Sequence, residues 1–309
     1  MASFVRRAGG VLMRALQDPL KEYRRMRWRC GLTVFQPLLD GAGVYLYPEE
    51  AIARHLLYLD FESAVRRAMQ DVVAPGMTFI DVGANFGLYT VLAAKLVGAT
   101  GRVLAFEPSE REWKRARRAI ERNGFQNVEL FRVALSNADG TISLNVCEPA
   151  YGGCNSVGTV THKAAVGHVS HVEQVTCRTL DSFLAEKQVR RVDVMKLDVE
   201  GAEQLVLLGG KELFTGAGAP VLFCELSDWT ARGLGTTAAE TWDLMVSYGY
   251  KIYSIQRSEG GYRLAQCPRA ERIEYEDVLA LKPAHVSGLA GRIRFPQVEV
   301  ADGSLGRLC

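Results

Sequence analysis

Phe79-Ile80-Asp81-Val82-Gly83-Ala84-Asn85-Phe86-Gly87 is the stretch that decides how this chain folds. Ile80 and Val82 are β-branched residues of a buried strand, Gly83 and Gly87 let the backbone turn tightly, and Leu88 to Val97 reads as a helix. A strand that passes through a glycine turn directly into a helix leaves the first free N–H groups of that helix facing whatever fills the turn. A nucleotide-like cofactor fits there, although α/β proteins also contain such junctions with nothing bound. The spacing, Asp-x-Gly-x-x-x-Gly, discriminates further. A dinucleotide fingerprint requires glycine where Asn85 and Leu88 stand, because a pyrophosphate must approach the backbone closely. The turn therefore suits a cofactor without phosphate, and S-adenosylmethionine, whose amino-acid end hydrogen-bonds to such a loop, is the expected one.

Working outward, strand-like and helix-like segments alternate, which predicts a parallel sheet with helices on both faces. Arg102 to Phe106 forms the second strand, ending in Glu107-Pro108. Ser109 and Glu112 have the spacing of a capping box for the next helix, whose apolar stripe is Trp113, Ala116 and Ile120 and whose end is Asn123-Gly124. The arginine-rich remainder of that helix reads as a solvated face, with an anion-binding patch as the alternative. Asn127 to Ala134 is the third strand, and Asn137 to Gly140 is a turn that returns Thr141 to Val146 as its hairpin partner. Glu148 to His171 lacks periodicity and is too long for an ordinary connection, which marks it as lid-like. Val192 to Asp198 then reads as strand four, Gly201 to Phe214 as a helix, Pro220 to Leu226 as strand five, and Thr237 to Tyr248 as a helix with a capping box at Thr237 and Glu240. Tyr250 to Ile255 and Tyr262 to Ala265 close the sheet as a hairpin, giving seven strands with the seventh antiparallel.

The expected organisation is a mostly helical N-terminal extension over residues 1–60 that supplies acceptor-side or oligomer contacts. A domain over 61–285 follows, with a hairpin and lid insertion near 137–177, and a tail over 286–309. At 309 residues and 48% hydrophobic composition the chain can bury a full core, and its net charge of +2 does not suit a dedicated nucleic-acid binder. Charge is uneven, however. Up to Arg29 there are eight basic residues, Arg6, Arg7, Arg14, Lys21, Arg24, Arg25, Arg27 and Arg29, against Asp18 and Glu22. Such a segment is either a solvated terminus or a helix for a membrane surface or a partner. No apolar run has the length of a signal-peptide core or a membrane span. The seven scattered cysteines read as reduced thiols, so a cytoplasmic location without membrane insertion is expected.

In open parallel sheets ligands bind beyond the carboxyl ends of the strands, and four acidic residues stand at such ends: Asp81, Glu107, Asp198 and Glu225. Glu107, one βαβ step after the glycine turn, is placed to accept hydrogen bonds from both ribose hydroxyls of a cofactor, unless it merely complements the following helix dipole. Lys196 lies in an otherwise apolar strand just before Asp198, Glu200 and Glu203, so a buried ion pair with one of these carboxylates is expected. Glu203, at the start of a helix, either complements the dipole or faces the pocket. His162, His168 and His171 fall in the lid and are further candidates for a proton acceptor. With Cys147 and Cys154 they do not make a closed zinc pattern.

Asp81-Val-Gly-Ala-Asn-Phe-Gly-Leu-Tyr-Thr90, Phe106-Glu-Pro108, Asn123-Gly124, Ala134-Leu-Ser136 with Asp139-Gly140, Thr179-Leu-Asp181 and Lys196-Leu-Asp-Val-Glu-Gly-Ala-Glu203 resemble, in that order, the FkbM-type S-adenosylmethionine-dependent methyltransferases. The likeness runs from Phe61 to Leu226, and the Lys-x-Asp-x-Glu-Gly-x-Glu block is its most specific part. It implies a seven-stranded Rossmann-like, class I methyltransferase sheet and methyl transfer, most often to an oxygen of a sugar, polyketide or other secondary metabolite. It also implies cofactor-binding positions at Asp81, Gly83, Asn85, Gly87 and Glu107, extending to Ser136 and Asp198. The first 60 residues and Glu148 to His171 match none of these motifs and are where choice of the acceptor is expected to reside.

A sugar hydroxyl is a weak nucleophile near neutral pH and needs a general base or a metal. The base candidates are Asp198, Glu200, Glu203 and His171. The metal alternative is Mg2+ held by Asp198 and Glu225 through hard oxygen ligands. N- or carboxyl-methylation of a peptide or small acid is the nearest competing activity. A nicotinamide-dependent oxidoreductase and a non-catalytic interaction protein on the same sheet are the competing classes, and the first lacks its glycines. The sequence leaves the acceptor and a homo-oligomeric state open.

Overall fold

Apolar residues in an unbroken run, rather than in alternation, mark strands covered on both faces, and the centre of this molecule is built from five of them. The computed structural model describes residues 18–293 and the two short strands Val298–Glu299 and Leu305–Gly306. Arg6, Arg7, Arg14 and half of the expected tail lie outside the described residues. In chain order the described elements begin with α1 (Pro19–Arg29), β1 (Val34–Leu39), β2 (Ala42–Leu46), α2 (Ala51–Tyr58), α3 (Ser63–Val72), β3 (Thr78–Val82), α4 (Leu88–Val97), β4 (Arg102–Phe106) and α5 (Glu110–Asn123). They continue with β5 (Val128–Phe131), β6 (Ala134–Leu135), β7 (Gly140–Cys147), a 3-10 turn (Pro149–Cys154), β8 (Val169–Arg178), α6 (Leu180–Glu186), β9 (Val194–Leu197), α7 (Glu203–Gly209) and α8 (Lys211–Thr215). The last are β10 (Val221–Leu226), α9 (Asp228–Ala231), α10 (Ala238–Ser247), β11 (Lys251–Ser258), β12 (Gly261–Gln266), β13 (Glu276–Leu281) and α11 (Pro283–Leu289).

The main sheet has the order β12-β11-β13-β10-β9-β3-β4-β5. The five strands from β10 to β5 run parallel, and β13 is antiparallel to both β10 and β11. The sheet thus has eight strands where seven were expected. The antiparallel strand is Glu276–Leu281, wedged between β10 and β11, while Tyr262–Ala265 pairs with β11 alone and becomes the edge. β13 escapes a reading for turns because no glycine introduces it, yet Val278 through Leu281 are fully buried.

Four other local expectations change. The third strand breaks after Phe131, and Ala134–Leu135 joins a separate three-stranded sheet of order β6-β8-β7. Thr141 to Val146 pairs antiparallel with β8 instead of folding back on the third strand, because Leu144, Val146, Val175 and Cys177 close a small core of their own. The Gly201 to Phe214 helix is interrupted at Gly209-Gly210, where a Cβ on Gly209 would stand 2.0 Å from the carbonyl oxygen of Ser136. At α5 the Ser109 side chain makes no cap bond, and its backbone N–H donates to Glu107 Oε1 (2.9 Å). The Thr237–Glu240 capping box does form.

The described residues before Phe61 pack against the rest of the core. They add a β1–β2 hairpin to the expected helices, and Val44, Leu46, Ala53 and Leu57 are buried in the same core cluster as Phe79, Val91 and Val103. Alternation along the parallel strands divides the core into two layers. Phe79, Val194 and Phe223 lie on one face, Ile80, Met195 and Leu222 on the other. Asp81, Lys196 and Glu225 keep phase with the first of these faces and fall at its C-terminal end, where Asp81 is in register with Lys196. Strand order reverses between β3 and β9, and that is where the charged residues gather.

Candidate active site

A cavity of about 370 Å³ opens above the reversal point. Its floor is the turn after β3. Gly83 has φ +87° and Gly87 +94°, and Asn85, at +49°, occupies the left-handed region that asparagine tolerates. Gly83 is required by close approach as well as by conformation, since a Cβ there would lie 1.8 Å from the carbonyl oxygen of Asp198. The turn's own N–H groups are internally satisfied: Gly83 and Ala84 donate to Phe106 O, Asn85 to Glu107 Oε2 (2.8 Å), Phe86 to Asn85 Oδ1 and Gly87 to Ala84 O. Donors for a ligand are thus left to the start of α4, where Leu88 and Tyr89 line the cavity and no side chain caps the helix.

Glu107 faces the cavity and is pinned by two backbone donors, Asn85 and Ser109, which fix both of its oxygens. A carboxylate has about four acceptor sites, so acceptor capacity remains. Burial, reinforced by the nearby Glu112 carboxylate, pushes its pKa up to about 8 against these two N–H donors. Asp81 stands one layer behind the lining. Its Oδ2 accepts from Thr90 Oγ1 (2.5 Å), its Oδ1 has no hydrogen-bond partner among the described residues, and burial raises its pKa to about 6 despite nearby Lys196.

At the far end of the cavity Lys196 Nζ donates to Asp198 Oδ2 (2.5 Å) and lies 4.4 Å from the centre of the Tyr89 ring. The expected ion pair is therefore present. Burial alone would lower the lysine's pKa, but the carboxylates of Asp198, Glu62 and Asp81 carry it well above the usual value, so it stays charged. Asp198, Glu200 and Glu225 all line the cavity. Burial, with Asp198 the next contributor, holds the pKa values of Glu200 and Glu225 well above the carboxylate range. Glu203 does not reach the cavity. Its Oε1 accepts the N–H groups of Val199 (2.9 Å) and Gly201 (3.3 Å), and so it shapes the loop that presents Asp198 and Glu200.

Two further candidates fall outside. His171 is exposed on β8 with Nε2 3.3 Å from Glu173 Oε1, because β8 turns that residue to solvent. The Ser136 side chain is buried beside Asn137, while the neighbouring Ala134 and Leu135 line the cavity. His162 does line it, near Trp229, and its pKa is lowered by burial. Among the described residues no group of three or more His, Cys, Asp or Glu side chains converges as a metal site would need. One oxygen of Asp198 is moreover taken by Lys196. The donor set does not fit the Mg2+ alternative.

Three lining residues play parts that the motifs do not announce: Glu62, Tyr89 and Tyr275. Tyr89 donates its hydroxyl hydrogen bond to the Glu62 carboxylate, and Asp277, which accepts from Tyr275 (3.3 Å), is in register with Glu225. Tyr89 lies within the Asp81 to Thr90 motif but reads there as a helix residue. Nothing in Asp60-Phe61-Glu62-Ser63 distinguishes a pocket carboxylate from an ordinary helix start. The Glu148 to His171 segment forms a wall: Tyr151, Gly152, Gly153 and Asn155 line the cavity, and Arg111 (to Cys147 O, 2.8 Å), Asn85 (to Gly152 O, 3.4 Å) and Ser156 (to Glu200 O, 2.9 Å) tie it down.

These carboxyls set a pH dependence. A carboxyl whose folded pKa is raised stabilises the fold fully below its unfolded value, about 4 to 4.5, and that contribution is lost as pH rises through the folded value. For Asp81 and Glu107 the losses run through about 6 and about 8, and Asp277, Glu200 and Glu225 act in the same direction. Without ligand, the urea midpoint is expected to be lower at alkaline pH than in mild acid. Titration of unfolding midpoints across this range checks it, and a midpoint that rises steadily with pH would show these groups to be ionised at no cost.

A parallel sheet whose order reverses at β3 and β9, with a glycine turn that lacks the dinucleotide spacing and an acidic residue one strand later, defines a class I S-adenosylmethionine-dependent methyltransferase. The Methyltransferase FkbM domain model matches residues 81–252, and the chain belongs to that family. It is 27% identical over 185 residues to Methyltransferase 1 of Beauveria bassiana, covering 56% of this chain and 73% of that protein. It is likewise 27% identical over 167 residues to the 2-O-methyltransferase NoeI of Sinorhizobium fredii, covering 50% of this chain and 65% of that one. A crystal structure of methyltransferase FkbM from Methylobacillus flagellatus aligns with a TM-score of 0.41 at 13% identity, over 74% of this chain and 52% of that chain. Among the described residues no helix is long and apolar enough to cross a membrane.

Proposed function

We propose that the enzyme methylates a hydroxyl oxygen on a neutral acceptor, such as a sugar or a secondary-metabolite scaffold. The observation that carries this reading is the lack of an unpaired cation among the described residues of the cavity wall beyond the cofactor turn. Glu62, Asp198, Glu200 and Glu225 line it, and Lys196, the one lysine or arginine among the described lining residues, is already paired with Asp198. An acceptor carboxylate or phosphate would find no unpaired cation there and would lie beside carboxyls whose own ionisation is already disfavoured by burial, which disfavours carboxyl methylation. A hydroxyl meets acceptors for its proton instead. That NoeI is named a 2-O-methyltransferase supports the same reading.

The Gly83 to Gly87 turn and the start of α4 would hold the cofactor's amino-acid end, Glu107 would accept from its ribose hydroxyls, and Phe106, Pro108, Val133 and Leu135, which line the cavity, would hold its adenine ring. When bound, the cofactor supplies an electrophilic methyl on a sulfonium. The protein aligns the acceptor oxygen with it, excludes water beneath the wall at Tyr151 to Asn155, and removes the acceptor proton to Asp198.

Transfer of labelled methyl to panels of glycosides, carboxylic acids and peptides tests this. A product stable to alkali supports an ether; release of methanol by alkali would identify an ester and overturn the reading. Turnover is expected to persist in EDTA, since no step is assigned to Mg2+. Glu107→Ala should weaken S-adenosylhomocysteine binding by about 1.5–3 kcal/mol, the scale of hydrogen bonds to a charged group, with Glu107→Gln intermediate. Calorimetric affinity equal to that of the native chain would remove Glu107 from the ribose.

A further inference from the structure

We infer that α1 is a docking surface for an anionic lipid bilayer, on which the chain lies without inserting. Pro19–Arg29 buries none of its residues. Leu20, Tyr23 and Met26, three residues apart and so on one face of the helix, are 69%, 50% and 54% exposed. Exposed apolar side chains scattered singly are ordinary, but three aligned on one helix face mark a contact. The opposite side is anchored: Trp28 packs edge-on against Tyr58 at 5.8 Å, and the Arg25 guanidinium lies 5.1 Å from the same ring while pairing with Glu22 at 2.6 Å. The outward stripe is therefore held in place by the fold.

Charge identifies the occupant. Lys21, Arg24, Arg27 and Arg29 have no ion-pair partner among the described residues. The first 29 residues carry eight basic side chains against two acidic ones in a chain whose net charge is only +2. Arg24, Arg27 and Arg29 border the apolar stripe, an arrangement that matches a surface of anionic headgroups over acyl chains. Nucleic acid would satisfy the charges but offers nothing to Leu20 and Met26. Tyr58, the anchor, ends α2, whose Ala51, Ile52 and His55 line the cavity. The docked helix is thus coupled through α2 to the site, which suits an acceptor carried on or near that surface.

The test is co-sedimentation of the full chain with vesicles of phosphatidylcholine alone and of phosphatidylcholine mixed with phosphatidylglycerol. Expected is binding at least about ten-fold tighter to the anionic vesicles, weakening as salt is raised. Leu20→Ser with Met26→Ser, which leaves every charge in place, and Arg27→Glu with Arg29→Glu should each reduce it by about ten-fold. S-adenosylhomocysteine binding should stay unchanged, showing the fold intact. No binding to either vesicle, equal binding to both, or native binding by either double variant overturns the inference. Loss in the charge variant alone would point to a purely electrostatic partner such as nucleic acid and overturn it equally.

Discussion

Gly83→Ala is expected to destabilise the protein by about 4 kcal/mol or more, the range reached when a substitution forces a clash that packing cannot absorb, or else to fold with the cofactor site dismantled. Two costs add at this position. An alanine in the left-handed region costs about 1–2 kcal/mol, and φ at Gly83 is +87°. The second is larger. The new Cβ would stand 1.8 Å from the backbone oxygen of Asp198 and 2.9 Å from its carbonyl carbon. No rotamer change relieves a clash with backbone, so either β3 and β9 part at their carboxyl ends or the 198–203 loop shifts. That loop is held by Glu203 and by Ser156, so a shift would carry Asp198 and Glu200 with it. Gly124→Ala supplies the control: φ is +69° and ψ +22°, and a Cβ there would have nothing within 4 Å, so it should cost about 1–2 kcal/mol and leave ligand affinity alone. Denaturant unfolding and calorimetry with S-adenosylhomocysteine read both. A Gly83→Ala chain as stable and as competent to bind as Gly124→Ala would show that the approach of the two strand ends is not what the glycine serves.

This contact also shows where the sequence was readable. Gly83 could be assigned to a cofactor turn from the strand before it and the helix after it, because both signals are local. That its missing side chain makes room for Asp198, more than a hundred residues on, depends on β3 and β9 being neighbours. The parallel strands were legible because each is a short apolar run bounded by charge or glycine. β13 was not, since Cys267 to Tyr275 precedes it without a glycine turn and its place between β10 and β11 is a tertiary fact.

The candidate site divides along the same line. Asp81, Glu107, Asp198 and Glu225 were visible as acids at strand ends, whereas Glu62 enters the cavity only because α3 packs over the sheet. Glu203 and Asp198 are alike in sequence, five residues apart in one acidic block. The Glu203 carboxylate is spent on two N–H groups and the Asp198 carboxylate is turned toward the cavity, which is a distinction of loop geometry. His171 looked like a lid histidine because β8 begins at Val169, two residues before it, with no turn to announce the strand.

Asp198→Asn is expected to lower kcat by about 10²- to 10⁴-fold, the usual contribution of a positioned base, with little change in fold or cofactor affinity. Its environment supports the assignment. Lys196 holds Oδ2 from a buried position at 2.5 Å, so the carboxylate is fixed and one oxygen remains for the acceptor hydroxyl. Asparagine keeps the shape and can still accept from Lys196, while losing the capacity to take a proton. The lysine would not be stranded, because Glu62 and Asp81 also contribute to its charge balance. Glu200 and Glu225 provide the competing explanation, since both line the same cavity with raised pKa values. They differ from Asp198 in an observable way. If one of them is the base, activity in the Asp198→Asn variant persists and its pH profile retains the native ascending limb. If Asp198 is the base, that limb disappears and the residual rate rises with hydroxide. Single-turnover methyl transfer across pH, with S-adenosylhomocysteine affinity measured in parallel, separates the two. Near-native turnover in Asp198→Asn together with collapse in Glu200→Gln or Glu225→Gln would move the proton acceptor to that residue.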